Sequence, residues 1–151
     1  MPVRRAEPEE ASLLSDLALR SKAHWDYPAS FIEACRDDLT VTPHDIAQHA
    51  VFVSIASGNQ ITGFYMLVRR SAAEADLSML FIDPSAIGAG YGRLLFEHAV
   101  ETARSGGYQH LFIDSDPFAE SFYTRMGAVR IGEVESTVLA GRLLPLMRYD
   151  L

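Results

Sequence analysis

The chain has 151 residues, 48% of them hydrophobic and 22% charged, with a formal net charge of −7. This is the profile of one soluble globular domain, here taken as residues 1–151, able to bury a core without disulfides or metal. The acidic balance argues against a nucleic-acid partner, whose phosphates need a basic footprint. No apolar run approaches the roughly 20 residues that span a bilayer, so no membrane association is expected. The lone Cys35 excludes an internal disulfide, and a charged N-terminus without an apolar stretch points to the cytoplasm.

Residues 3–6 suit a short first strand. Residues 7–25 read as a helix, with Leu13, Leu14, Leu17 and Ala18 as its apolar stripe, Pro8 in its first turn and Glu7, Glu9 and Glu10 at its positive end. Tyr27-Pro28 breaks it, residues 31–39 predict a second helix, and Thr42-Pro43 has the cap signature of a short third. The texture then changes. Residues 50–56 and 61–68 are β-rich runs around Ser57-Gly58-Asn59-Gln60, a hairpin signal. Residues 76–82 form another strand, closed by Asp83-Pro84. Residues 90–104 are helical, with Leu95, Phe96, Ala99, Val100 and Ala103 on one face and Gly106-Gly107 as the stop. Residues 110–114 are a strand, 118–126 a helix ending at Gly127, and 129–136 and 143–149 the last two strands. Antiparallel strands followed by a βαβ unit predict an α/β fold with a mixed sheet covered by helices.

The segment Ile87-Gly88-Ala89-Gly90-Tyr91-Gly92-Arg93 runs from a strand and loop into a helix. Glycines at alternate positions let the backbone approach a ligand closely. The helix behind them begins with unpaired N–H groups and a partial positive charge, which suits a pyrophosphate. Arg93 can add a full charge. The chain has no Walker sequence. A dinucleotide fingerprint would need a third glycine where Arg93 stands, although the spacing from Gly90 to Asp114 imitates the ribose-binding acid of such folds. A nicotinamide-dependent oxidoreductase is therefore a secondary reading.

Here the chain resembles the GCN5-related N-acetyltransferase (GNAT) family. Ile87-Gly88-Ala89-Gly90-Tyr91-Gly92 matches its CoA-binding signature Q/R-x-x-G-x-G/A except at Ile87. Asp116-Pro117-Phe118-Ala119-Glu120-Ser121-Phe122-Tyr123, continuing to Gly127-Ala128, resembles the second motif N-x-x-A-x-x-F-Y-x-x-x-G-F, with Asp116 in place of Asn. The resemblance runs over nearly the whole chain. It implies a mostly antiparallel sheet of about seven strands, splayed at the centre between residues 76–82 and 110–114 and flanked by helices. It also implies acetyl-CoA as co-substrate, its pyrophosphate on residues 87–93 and its pantetheine against Leu80, Phe81 and Ile82, with Asp116, Ala119 and Phe122 nearby. The acceptor amine attacks the thioester directly. Tyr123 matches the tyrosine that protonates the leaving thiolate, a phenol with an ordinary pKa of about 10 and so protonated at neutral pH.

By the same resemblance Asp76 matches a position where branches of the family carry a catalytic Glu and is the expected general base, with Glu74 or a water relay as alternatives. Trp25 and Tyr27, flanking Asp26, are expected to bind the acceptor, since aromatics with an acid suit an organic cation. A small cationic amine is thus favoured over other small-molecule or peptide amines. The five histidines show no ligand spacing, so no metal is expected. The apolar stretch 129–151 suggests a homodimer, as members of the family often pair there. A domain that binds acyl-CoA without catalysis is the other alternative to an enzyme.

Overall fold

The computed structural model describes residues 2–151. After β1 (Val3–Arg5) come a 3₁₀ turn at Pro8–Glu10, α1 (Ala11–Ala23), α2 (Ala29–Ala34) and α3 (Pro43–Gln48). The hairpin β2 (Ala50–Ala56) and β3 (Gln60–Arg69) leads to β4 (Glu74–Ile82). The remaining elements are α4 (Tyr91–Ser105), β5 (His110–Asp114), α5 (Glu120–Arg125), β6 (Val129–Glu135) and β7 (Leu143–Asp150). All seven strands form one sheet in the order β1-β2-β3-β4-β5-β7-β6. Every neighbouring pair is antiparallel except β4 and β5, which the α4 crossover makes parallel.

Side chains alternate across the sheet and build two cores. Phe64 and Met66 of β3 face α1, where Leu14, Leu17 and Ala18 are fully buried. Tyr65 and Leu67 face α4, meeting Leu95, Phe96 and Ala99. The expected face of α4 is therefore the buried one. The α1 stripe differs at Leu13, which is 47% exposed. Leu13 lies about 100° around the helix from Leu14, and Ala11 takes the inward position instead. The second helix is shorter than expected and ends at Ala34. Beyond it, Asp37 and Asp38 are poor helix residues at the negative end of the dipole.

The sheet opens where expected. β4 and β5 pair only through Glu74↔His110, Ala75↔Leu111 and Asp76↔Phe112. From Leu77 onward no ladder joins them. On the other side of β4 the register with β3 shifts between Met79↔Met66 and Leu77↔Leu67, leaving Ser78 as an extra residue. Such a bulge bends a strand and increases its local twist.

Candidate functional site

The gap between β4 and β5 is a cleft of about 750 Å³. Leu80, Phe81 and Ile82 line one wall. Tyr123, Phe122, Ala119 and Asp116 line the other, and Ile87, Gly88 and Gly90 to Arg93 close one end.

That end is built from backbone. Gly88 and Gly90 sit at φ +88° and +90°, a region that side chains make costly, and Gly90 caps α4 without any side-chain hydrogen bond. The first intrahelical bond runs from the Leu94 amide to the Gly90 carbonyl. The amides of residues 88–93 have no acceptor among the described residues. Six consecutive free donors at the head of a 15-residue helix form a cradle for an anion. Gly92 also lets α4 approach α5, because a Cβ there would lie 3.3 Å from the Phe122 ring. Arg93 borders the cleft, but its guanidinium pairs with Glu97 at 2.9 Å on the exposed surface of α4. The backbone, more than Arg93, supplies the positive potential.

Tyr123 is only 7% exposed, packed between Phe96 and Phe122. Its hydroxyl has no hydrogen-bond partner among the described residues. Among the described residues no fully buried side-chain oxygen or nitrogen lacks a partner, so this oxygen is open to the cleft that Tyr123 lines. Burial pushes its pKa up, and the charge of Asp116 pushes it further. At neutral pH it is a phenol with a free proton to donate.

The far end holds a cluster joined from four parts of the chain. Asp116 caps the turn before α5, accepting from the Phe118 amide at 2.9 Å. The Lys22 ammonium of α1 donates to it at 2.5 Å and the Tyr27 hydroxyl at 2.9 Å. Arg142, just before β7, donates to the Tyr27 oxygen at 2.6 Å and lies 3.8 Å from Asp116. The side chains of Lys22, Asp116 and Arg142 are 14%, 16% and 18% exposed. Burial raises the Asp116 pKa, but the hydrogen bond and charge of Lys22, with the Phe118 amide and Tyr27, outweigh it and hold the carboxyl below its usual range.

The expected site residues divide accordingly. The glycine-loop, β4 and α5 positions converge on the cleft, with Ala89 inside the loop but off the cleft wall. Asp76 and Glu74 do not line it. The strand begins two residues earlier than expected, at Glu74, so Asp76 is an interior residue rather than a strand end. It pairs with Arg70 at 3.3 Å, and burial raises its pKa against the opposing charge of Arg70. Trp25 borders the cleft, stacked on Phe118 with centroids 5.2 Å apart. Tyr27 stands behind the wall. Its ring carries Lys22 and Arg142, each 5.3 Å from its centroid. The aromatic face expected for a ligand cation is taken by the protein's own cations. Sequence reasoning missed Lys22 and Arg142, which lie 94 residues upstream of Asp116 and 115 downstream of Tyr27 respectively. No local motif marks either. Among the described residues no group of three His, Cys, Asp or Glu side chains is placed to hold a metal ion, and no helix is long and apolar enough to cross a membrane.

A family model described as an acetyltransferase (GNAT) domain matches residues 17–148. No curated protein matches the chain. Among solved structures, a GCN5-related N-acetyltransferase from Rhodopseudomonas palustris is similar at 21% identity and TM-score 0.81, over 99% of this chain and 95% of that one. The PaiA N-acetyltransferase from Thermoplasma acidophilum, solved in complex with coenzyme A, aligns at 17% identity and TM-score 0.81, over 99% and 98%. The apo form of YjaB from Escherichia coli aligns at 27% identity and TM-score 0.69, over 99% and 95%. At 21% and 17% identity the first two likenesses speak to the fold alone.

Proposed function

The chain belongs to the GNAT acetyltransferase family, and from that premise we propose that it is a single-domain N-acetyltransferase that moves the acetyl group of acetyl-CoA onto an amine. The observation that carries this reading is the pairing, in one cleft, of six free amides at residues 88–93 with the unpartnered hydroxyl of Tyr123. The amides hold the pyrophosphate. The edge of β4 left unpaired beyond Asp76 receives the pantetheine, against Leu80 to Ile82, with Ala119 and Phe122 across the gap. Acetyl-CoA supplies the activated thioester.

In the transfer, a C–N bond forms at the thioester carbon and the C–S bond breaks. The amine gives up one proton and the sulfur takes one. Tyr123 donates to the departing sulfur, and its raised pKa keeps the proton in place until sulfur demands it. Asp76 stands off the cleft, so it accepts the amine proton only through water. Its burial-raised carboxyl is a stronger base than a solvated one. Trp25 borders the acceptor end. The lone, buried and unpaired Cys35 accords with a cytoplasmic protein.

Calorimetry with acetyl-CoA, NADH and ATP tests the binding half, and thiol release across an amine panel tests the catalytic half. Acetyl-CoA is expected to bind far more tightly than the other two, and Gly90→Ala to weaken it by at least tenfold, because a Cβ at φ +90° costs about 1–2 kcal/mol and turns the cradle amides. Tighter binding of NADH would move the chain to the oxidoreductase reading. Binding with no thiol release from any amine would make it an acyl-CoA-binding domain without catalysis.

A further inference from the structure

The cluster at the acceptor end has a charge left over. Asp116 is engaged by Lys22, Tyr27 and the Phe118 amide. Asp38, also on the cleft wall, is exposed at the rim and accepts from Thr137. Arg142 is 18% exposed, yet its guanidinium spends only one N–H, on Tyr27. Its Nη1 and Nε have no acceptor among the described residues. Its carbon lies over two rings, 5.3 Å from the Tyr27 centroid and 4.8 Å from that of Phe31. A guanidinium beside two aromatic rings, on the wall of the cleft and with most of its N–H groups unspent, can pair with the two oxygens of a carboxylate. Little reorganisation is needed to bind one.

Resting on the acetyltransferase reading of this cleft, we propose that the acceptor is an amine that also bears a carboxylate, an amino acid or a molecule of that kind, and that Arg142 binds the carboxylate. Lys22 reinforces the field, while Asp116 fixes Lys22 and Tyr27 in place. A purely cationic amine would set a third cation beside Lys22 and Arg142, and the Tyr27 and Phe31 rings already carry those two. The specificity follows from the positive charge left over where Lys22 and Arg142 share one carboxylate, not from the net charge of the chain.

The experiment compares the common L-amino acids with their decarboxylated amines and their carboxamides, read as thiol release from acetyl-CoA. At least one amino acid is expected to exceed its decarboxylated partner tenfold or more in kcat/KM. Arg142→Gln should raise the KM for that amino acid about tenfold to a hundredfold and leave the KM for acetyl-CoA unchanged. Arg142→Lys, which keeps the charge but loses the fork, should fall between, and thermal melting verifies that both variants fold. Equal turnover of decarboxylated amines, or an Arg142→Gln enzyme with unchanged amino-acid KM, overturns the proposal and leaves the acetyltransferase reading standing. Absence of acetyl-CoA binding sinks the parent reading instead. A parallel titration needs no turnover: N-acetyl amino acids against the matching N-acetyl amines, followed by the fluorescence of Trp25, the single tryptophan, which borders the cleft. Tighter binding of the carboxylated members, lost in Arg142→Gln, supports the assignment. Equal or absent binding of those members overturns it.

Discussion

Tyr123 and Asp116 carry different loads in the same cleft. Tyr123 is held by ring packing alone, so its hydroxyl is free for chemistry. Tyr123→Phe keeps the ring between Phe96 and Phe122 and removes only the oxygen. Turnover is expected to fall by about 10²–10⁴-fold, in kcat and with every accepted amine, while calorimetry finds acetyl-CoA affinity little changed. An unchanged kcat in an assay limited by chemistry would reduce Tyr123 to a packing residue. Asp116 is an electrostatic keystone between two half-buried cations. Its pKa is depressed in the folded state, so it stabilises the fold at pH values above its unfolded pKa, near 3.9, and that contribution is lost as pH falls through the lower folded value. Asp116→Asn leaves Lys22 and Arg142 without their counter-charge. We expect a loss of about 1–3 kcal/mol at pH 7 and a shallower decline of stability below about pH 4. Thermal melts from pH 7 to pH 3 read both effects, and a mutant with the wild-type acid profile would show that the cluster is fully solvated.

At the scale of elements, the cleft depends on β4 being held tightly on one side and released on the other. Gly63 of β3 makes the tight side possible. A Cβ there would lie 2.7 Å from Ile82 Cδ1 and 2.8 Å from the Phe81 carbonyl oxygen. The second contact is backbone, which cannot swing away. Gly63→Ala is expected to destabilise the protein by about 1–3 kcal/mol, read as a lower denaturant midpoint with an unchanged slope. Because Phe81 and Ile82 also line the cleft, acetyl-CoA affinity should fall with it. An unmoved midpoint would mean that the two strands separate without cost at this point.

For the whole molecule, the β6 edge of the sheet is the one that exposes large apolar side chains. β6 is the last strand, paired only to β7. Val129, Ile131 and Leu143 on this pair are 62%, 43% and 55% exposed. Unpaired edges with apolar side chains invite association. We expect a homodimer through this region, with a light-scattering mass near twice the chain's 16.7 kDa. Ile131→Glu should return it to one chain. A wild-type monomer at micromolar concentration would remove the expectation.

Much of the fold was legible because its signals are local. The β-rich runs, the glycines at 88, 90 and 92, and the apolar face of α4 are short-range patterns, and each reports the backbone it sits on. Leu13 was misread because one helical turn of ambiguous pattern does not say which of two leucines faces inward. The free amides of residues 88–93 follow from an equally local pattern, since a loop and the helix after it make the cradle together. The cluster at the far end of the cleft was not legible. Lys22, Tyr27, Asp116 and Arg142 come from four segments that meet only when the sheet brings α1, the turn before α5 and the start of β7 to one mouth. In sequence, Trp25-Asp26-Tyr27 suggested a cage for a cation. In the folded chain, two of the protein's own cations, Lys22 and Arg142, cover the Tyr27 ring and share the one carboxylate of Asp116. Charge complementarity over such separations is a property of three-dimensional proximity and burial, so only the tertiary structure decided it.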